Sequence, residues 1–249
     1  MSLLKVKKGM KVCKLVLICS LFLILSGFIS YLVFRHMYAR ELSLRLSPVM
    51  ENNNQLIKNE KYWFLGDSRI ARWTIPDSIL PRSTYCNLGV DGQTSTQVLY
   101  RIRLYFEKQN PDYIFLQVGI NDLKTIGLFP NIKTQIIDQC IQNIKAILSE
   151  SITHGAKPVF LTIFPGGDVE LLRRPLWNMS VNKAVVNVNK EIIEYSRSNN
   201  IPIIDSYTIL CDKNGKLRKE FQKDCLHLNK NGYAVLNKEV NKFILSLRK

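Results

Sequence analysis

Histidine is scarce in this chain: His36, His154 and His227 are the only three in 249 residues. Six cysteines are present, yet no two stand in a Cys-x-x-Cys pair, so a zinc site has no ligand pattern to rest on. Acidic residues are outnumbered, 20 against 35 basic ones, and none occurs in the first 34 positions. Between Leu15 and Phe34 there is no charge of either sign. Internal repeats and low-complexity tracts are missing too, which removes repeat architectures and compositional tails from consideration. The formal charge of +15 comes without a nucleic-acid recognition motif, and the basic residues are spread rather than clustered. A nucleic-acid partner is therefore not expected.

The uncharged stretch 15–34 is long enough to span a bilayer as a helix. Five lysines precede it (Lys5, Lys7, Lys8, Lys11, Lys14), while Arg35, Arg40 and Arg45 follow, offset by Glu41. That asymmetry puts a basic segment, 1–14, on the cytoplasmic side and everything after the span outside. A cleaved signal peptide is the competing reading, but the apolar core is long and no clear Ala-x-Ala site follows it. The expected organisation is a transmembrane anchor at 15–34, a juxtamembrane linker at 35–59 and one folded domain at 60–249. Beyond residue 34 the chain has thirty basic and twenty acidic residues, and a basic external domain suits an anionic envelope or polysaccharide. Outside the cell a disulfide is permitted. Cys211 with Cys225 is the favoured pair; free buried thiols are the alternative.

In the domain, short apolar runs alternate with stretches of helical periodicity. Tyr62–Leu65, Thr84–Leu88, Tyr113–Val118, Pro158–Phe164 and Ile201–Ile204 read as strands. Val98, Leu99, Ile102 and Phe106 mark one helix face; Ile136, Ile137, Cys140, Ile141, Ile144, Ile147 and Leu148 mark another. Val181 to Ile192 and Leu236 to Leu247 repeat the pattern. Such alternation predicts an α/β fold with a mostly parallel sheet covered on both faces. In such sheets the site lies beyond the carboxyl ends of the strands.

Three sequence pieces fall just past predicted strand ends: Gly66-Asp67-Ser68, Gly89 and Gly119-Ile120-Asn121-Asp122. A fourth, Asp224-Cys225-Leu226-His227, lies before the last helix. A serine hydroxyl needs a base to become nucleophilic, and His227 is the natural one, since His36 abuts the apolar segment and His154 reads as a helix end. Asp224, three residues earlier, is near enough on a local turn to accept from the imidazole Nδ1–H. The Asn121 amide, the Gly89 N–H and the Ser68 N–H can donate to an oxyanion. Taken singly, each has an ordinary explanation: helix capping for Asp67 or Ser68, a surface Asp–His pair, turn glycines, an Asx turn. Four independent turns do not explain their joint order at strand ends.

This set resembles the SGNH, or GDSL-type, hydrolase family over roughly residues 60–249. The blocks are Gly66-Asp67-Ser68, Asn87-Leu88-Gly89, Gly119-Ile120-Asn121-Asp122 and Asp224-Cys225-Leu226-His227, followed by Leu228-Asn229 and Gly232-Tyr233. The resemblance implies a three-layer α/β/α sandwich with a five-stranded parallel sheet, flavodoxin-like, preceded here by one transmembrane helix. It implies Ser68 as nucleophile, His227 as base, Asp224 as its orienter, and Ser68, Gly89 and Asn121 as the oxyanion hole. No metal or organic cofactor is implied. Asp91 departs from the small residue that relatives often carry after the second block's glycine.

The expected activity is a serine esterase removing O-acyl, notably acetyl, groups from envelope carbohydrate. An O-acyltransferase with the same serine, supplied by a separate membrane acyl-donor protein, is the main alternative. A lysophospholipase or thioesterase acting on lipid-like substrates, and an anchored binding protein with a hydrolase-like fold, are further alternatives. Arg173, Arg174 and Trp177, after the fourth strand, are candidates to meet an anionic or carbohydrate group. A solvated loop with Trp177 packed into the core is the competing reading of that segment.

Overall fold

The computed structural model of the protein describes residues 3–45, 61–170 and 180–247. Two compact units are present, residues 1–43 and 44–249. The first is helix α1 (Leu3–Arg45), so the helix runs through the expected span and continues into the segment expected as a linker. Of α1, Cys13–Glu41 is long and apolar enough to cross a membrane, with a mean hydropathy of 2.5. Its composition fits either a membrane anchor or a signal sequence.

The second unit is built on a five-stranded sheet of β1 (Tyr62–Gly66), β2 (Tyr85–Gly89), β3 (Tyr113–Gln117), β4 (Lys157–Leu161) and β5 (Ile203–Ile204). The order is β2-β1-β3-β4-β5, and every pairing is parallel. The expected α/β fold with a five-stranded parallel sheet is therefore present. Helices α2 (Ser68–Ala71), α3 (Ser95–Phe106), α4 (Ile120–Leu123), α5 (Lys133–Thr153), α6 (Ser180–Ser198), α7 (Ser206–Leu210) and α8 (Lys230–Ser246) supply the outer layers.

Strand side chains point alternately to two separate cores, the period-two consequence of the pleat. Trp63, Leu65, Ile114, Leu116 and Phe160 face one core, with Val98 and Ile102 of α3, Ile144 and Ile147 of α5, and Val185 and Val188 of α6. Tyr62, Phe64, Phe115, Val159 and Leu161 face the other, with Ile70 of α2, Leu210 of α7, and Leu236, Val240 and Ile244 of α8. Phe64 and Phe115 are register partners on adjacent strands, and their rings stack 4.6 Å apart. Each such fully buried side chain stabilises the fold by roughly 1.5–3 kcal/mol relative to exposure. Burial on both faces is why the strands read as continuous apolar runs.

Helix starts follow the local sequence. Asp67 caps α2, its Oδ1 accepting from the Arg69 N–H at 2.9 Å. Thr94 and Gln97 form a capping box at α3. Asn229 caps α8 by accepting from the Asn231 and Gly232 N–H groups. His154 ends α5, as expected, and stacks on Phe106 at 4.2 Å. The favoured Cys211–Cys225 disulfide is not formed, and no disulfide joins any of the six cysteines: the Cys211 thiol donates to the Asp212 carbonyl while Cys225 is buried.

Gly89, the last residue of β2, is where helix α2 meets the sheet. A Cβ there would collide with the Ala71 backbone nitrogen and lie 2.5 Å from Ala71 Cα and 2.6 Å from the Ile70 carbonyl carbon. Those are backbone atoms, so α2 itself would have to move. Gly89→Ala in the full chain is expected to lower stability by roughly 1–3 kcal/mol, read as a shift in the urea midpoint. An unchanged midpoint would show that α2 does not seat against this glycine.

Candidate active site

Three of the four candidate site segments follow strands that end at the same edge of the sheet. Gly66 of β1 lies opposite Gly89 of β2 and Gln117 of β3, so the turns after these strands leave the sheet at one level. The turn after β1 passes directly into α2, which places Ser68 at its first position with only 7% exposure. Gly119, after β3, has φ +126°, a region closed to most side chains, and its Cβ would meet Ile163 Cδ1 at 2.6 Å. This turn starts α4, which carries Asn121 and Asp122, both buried. His227 and Asp224 lie in the segment before α8.

Ser68 Oγ and His227 Nε2 are 2.9 Å apart. On the other side of the ring, His227 Nδ1 stands 2.9 Å and 2.8 Å from the two Asp224 oxygens. With the proton on Nδ1 donated to Asp224, Nε2 is left to accept from the Ser68 hydroxyl. Asp224 Oδ1 also accepts from the Leu226 N–H at 2.8 Å and the His227 N–H at 2.9 Å, so a single tight turn fixes carboxylate and imidazole together. Burial acts to raise the Asp224 pKa. The Leu226 N–H, the imidazole and the His227 N–H outweigh it and hold the carboxyl below its ordinary range. Burial lowers the His227 pKa, Asp224 opposes this, and the nearby Arg72 and Arg69 cations lower it further.

Asn121 Nδ2 donates to the Gln93 carbonyl at 2.9 Å, which fixes the amide's orientation with one of its two hydrogens. Gln93 follows the turn at Gly92, and its side-chain oxygen accepts from Arg101 Nε at 3.0 Å. No acceptor among the described residues takes the Ser68 N–H, one of the unpaired donors at a helix start. Gly89 differs from expectation. Its N–H already donates to Asn87 Oδ1 at 3.0 Å, and the glycine has a steric reason to be there. Asn87 Nδ2 in turn donates to the Ile70 and Trp73 carbonyls, clamping α2 to β2. Arg173, Arg174 and Trp177 lie outside the described residues.

Two buried arginines were not legible as parts of this region. Arg101 of α3 donates to carbonyls at the ends of β1 and β2, to Gly66 O, the last of β1, at 3.2 Å and to Leu88 O, the last but one of β2, at 2.6 Å. Arg69 follows Ser68 and is 1% exposed. Arg69 and Arg101 each stand close to a second arginine, Arg72 and Arg103, and in sequence both members of each pair read as surface. Arg72 is more exposed and pairs with Asp91 at 2.9 Å, which gives the departure at Asp91 a partner.

Behind Asn121 the chain buries a polar network. Asp122 accepts from the Ser95 N–H (2.8 and 3.1 Å) and hydroxyl (2.6 Å), and Asn143 Nδ2 donates to Ser95 Oγ at 3.0 Å. This ties α4 to the start of α3 and to α5. Burial raises the Asp122 carboxyl to about 6, against the Ser95 bonds. Between its ordinary value of 3.8 and about 6, the folded chain keeps a proton that the unfolded chain has released. Stability from this group is therefore full below pH 4 and lost as pH rises through 6. Asn at this position cannot titrate. The stability deficit of Asp122→Asn is expected to be larger at pH 4 than at pH 7.5, by about 2–3 kcal/mol, in urea titrations of the full chain. A deficit independent of pH would contradict this.

The model of the GDSL-like Lipase/Acylhydrolase family matches residues 64–235, more than half of the chain. No curated protein matches. Among solved structures, a GDSL-like lipase from Bacteroides thetaiotaomicron is 22% identical, with a TM-score of 0.62 over 86% of this chain and 98% of its own. The lipase/acylhydrolase from Enterococcus faecalis is 24% identical, with a TM-score of 0.54 over 74% and 95%. Axe2, an acetylxylan esterase from Geobacillus stearothermophilus, is 16% identical, with a TM-score of 0.53 over 75% and 94%. These neighbours share the fold, and the family match covers the Ser68, Asn121 and His227 segments together: the chain belongs to the GDSL-like lipase/acylhydrolase family of ester-hydrolysing enzymes.

Proposed function

We propose that Ser68, His227 and Asp224 form the catalytic triad of a serine esterase that removes O-acyl groups, above all acetyl, from cell-envelope carbohydrate. The observation that carries the reading is the unbroken chain of contacts from Ser68 Oγ through the imidazole to Asp224, each link 2.8–2.9 Å.

In this mechanism Ser68 Oγ attacks the acyl carbonyl carbon and His227 Nε2 takes the hydroxyl proton. The negative charge moves to the carbonyl oxygen, where the Ser68 N–H and the second Asn121 hydrogen receive it. The Gly89 N–H joins them only by exchanging Asn87 Oδ1 for that oxygen. The carbon–oxygen bond to the sugar then breaks, and the imidazolium returns its proton to the leaving alcohol. Water repeats the sequence on the acyl-serine and releases the carboxylic acid. Asp224 stays ionised throughout and stabilises the imidazolium.

The substrate class rests on setting. The basic segment before the apolar helix favours a cytoplasmic N-terminus with the catalytic domain outside, and the basic domain suits an anionic envelope surface. An acetylxylan esterase carries the same fold.

The test is hydrolysis of nitrophenyl esters from acetyl to octanoyl by the detergent-solubilised chain. Ser68→Ala is expected to abolish turnover, and Asn121→Ala to lower kcat on the order of 100-fold. Fastest turnover on acetyl supports the carbohydrate reading, and a preference for octanoyl would replace it with a lipid-directed one. Acylation of Ser68 without turnover would identify a transferase awaiting an acceptor hydroxyl. Since the base must be neutral and its pKa is lowered, the acid limb of kcat/KM is expected below the ordinary histidine value of 6.5. A limb above 6.5 would contradict that environment for His227.

A further inference from the structure

Arg69 has a bonding pattern that capping and core packing do not require. Its guanidinium is buried, and its donors reach two distant chain segments. Nε donates to the Leu226 carbonyl at 3.1 Å, immediately before His227. Nη1 donates to the Phe164 carbonyl at 2.6 Å, and Nη2 reaches the Pro165 carbonyl at 3.5 Å, both just beyond β4. The guanidinium plane lies over the Phe164 ring, 3.6 Å from its centroid. The backbone is held as well: the Arg69 N–H donates to Asp67 Oδ1, and the Arg69 carbonyl accepts from the Tyr233 hydroxyl of α8 at 2.9 Å. No carboxylate hydrogen-bonds the guanidinium among the described residues; the other Asp67 oxygen is buried and unpartnered. Burying a cation without a hydrogen-bonded counter-ion is unfavourable unless carbonyls satisfy it. Here the carbonyls belong to the loops around the site.

We propose that Arg69 is a positioning residue for acyl transfer: its guanidinium joins the Ser68 turn to the loop bearing His227 and so sets the alignment of hydroxyl and imidazole. The proposal rests on the serine-esterase reading above. A planar fork with five donors can hold two carbonyl-bearing segments at a fixed separation; a lysine ammonium is a point charge and cannot. The cation has a second effect. The charged groups acting on the imidazole are Asp224 in its own loop and Arg69 and Arg72 of the α2 segment, with Asp67 and the Tyr233 hydroxyl beside Arg69. Asp224 favours the imidazolium and the two arginines disfavour it, so Arg69 helps to keep the resting base neutral.

The test compares wild type, Arg69→Lys, Arg69→Met and Ser68→Ala as full chains in detergent, with nitrophenyl acetate across pH and a thermal melt for each. Arg69→Lys is expected to lower kcat about 10–100-fold with KM within about threefold and the acid limb unmoved. Arg69→Met is expected to show the same kcat loss with the acid limb moved to higher pH, because the cation opposing the imidazolium is gone. A folded Arg69 variant with wild-type kcat, or a loss confined to KM, would overturn the proposal and leave the serine reading standing. Full turnover in Ser68→Ala would overturn the serine reading and this proposal with it. If neither Arg69 variant melts cooperatively, Phe164→Leu decides. It keeps the cation and removes its platform, so a several-fold fall in kcat at constant KM supports positioning, and wild-type kcat overturns it.

Discussion

Parallel pairing of β1 with both β2 and β3, without offset, is the constraint on which the rest of this domain depends. It brings Gly66, Gly89 and Gln117 abreast, so three turns from different parts of the sequence leave the sheet side by side. The strands that produce this register are held by apolar side chains on both faces, Phe64 against Phe115 on one and Trp63, Leu65, Ile114 and Leu116 on the other. None of these residues touches the site chemistry. Their contribution is to hold the strands from which the turns to Ser68 in α2 and Asn121 in α4 depart.

The carboxyl edge of the sheet is costly in a way the rest of the core is not. Asp67, Arg69, Arg101 and Asp122 are all buried there. Burial raises Asp67 and Asp122 to about 6 and lowers Arg69 to about 10, each shift recording a charge held away from water. The arginines offset this by donating to strand-end and loop carbonyls, and Asp122 by accepting from Ser95. What the chain gains is geometric: the segments bearing Ser68, Asn121 and His227 are cross-tied by directional bonds rather than by packing alone.

Much of this was legible in the residues. Five strands and four long helices were readable from their apolar spacing, and the joint order of the Ser68, Asn121 and His227 segments pointed to the candidate site. Boundaries moved by a few residues; Pro158–Phe164, for example, became β4 at Lys157–Leu161. The four-residue helices α2 and α4 carry no periodicity to read. Gly89 shows the limit of residue type as evidence. The missing side chain that suggested an open donor also lets the α2 backbone close on β2, and the N–H is taken by Asn87. Arg69 and Arg101 were illegible because burial of an arginine depends on carbonyls gathered from distant segments. The cysteine pairing was undecidable for the same reason, since spacing does not say where Cys225 is buried.

The central claim is that Ser68 is a nucleophile activated by His227. The most direct measurement is labelling of the full chain in detergent with a fluorophosphonate, followed by mapping of the modified peptide by mass spectrometry. The account predicts one label, on Ser68, which disappears in His227→Ala although that variant still melts cooperatively. A folded wild-type chain that takes no label at Ser68, or one labelled equally without His227, would contradict it.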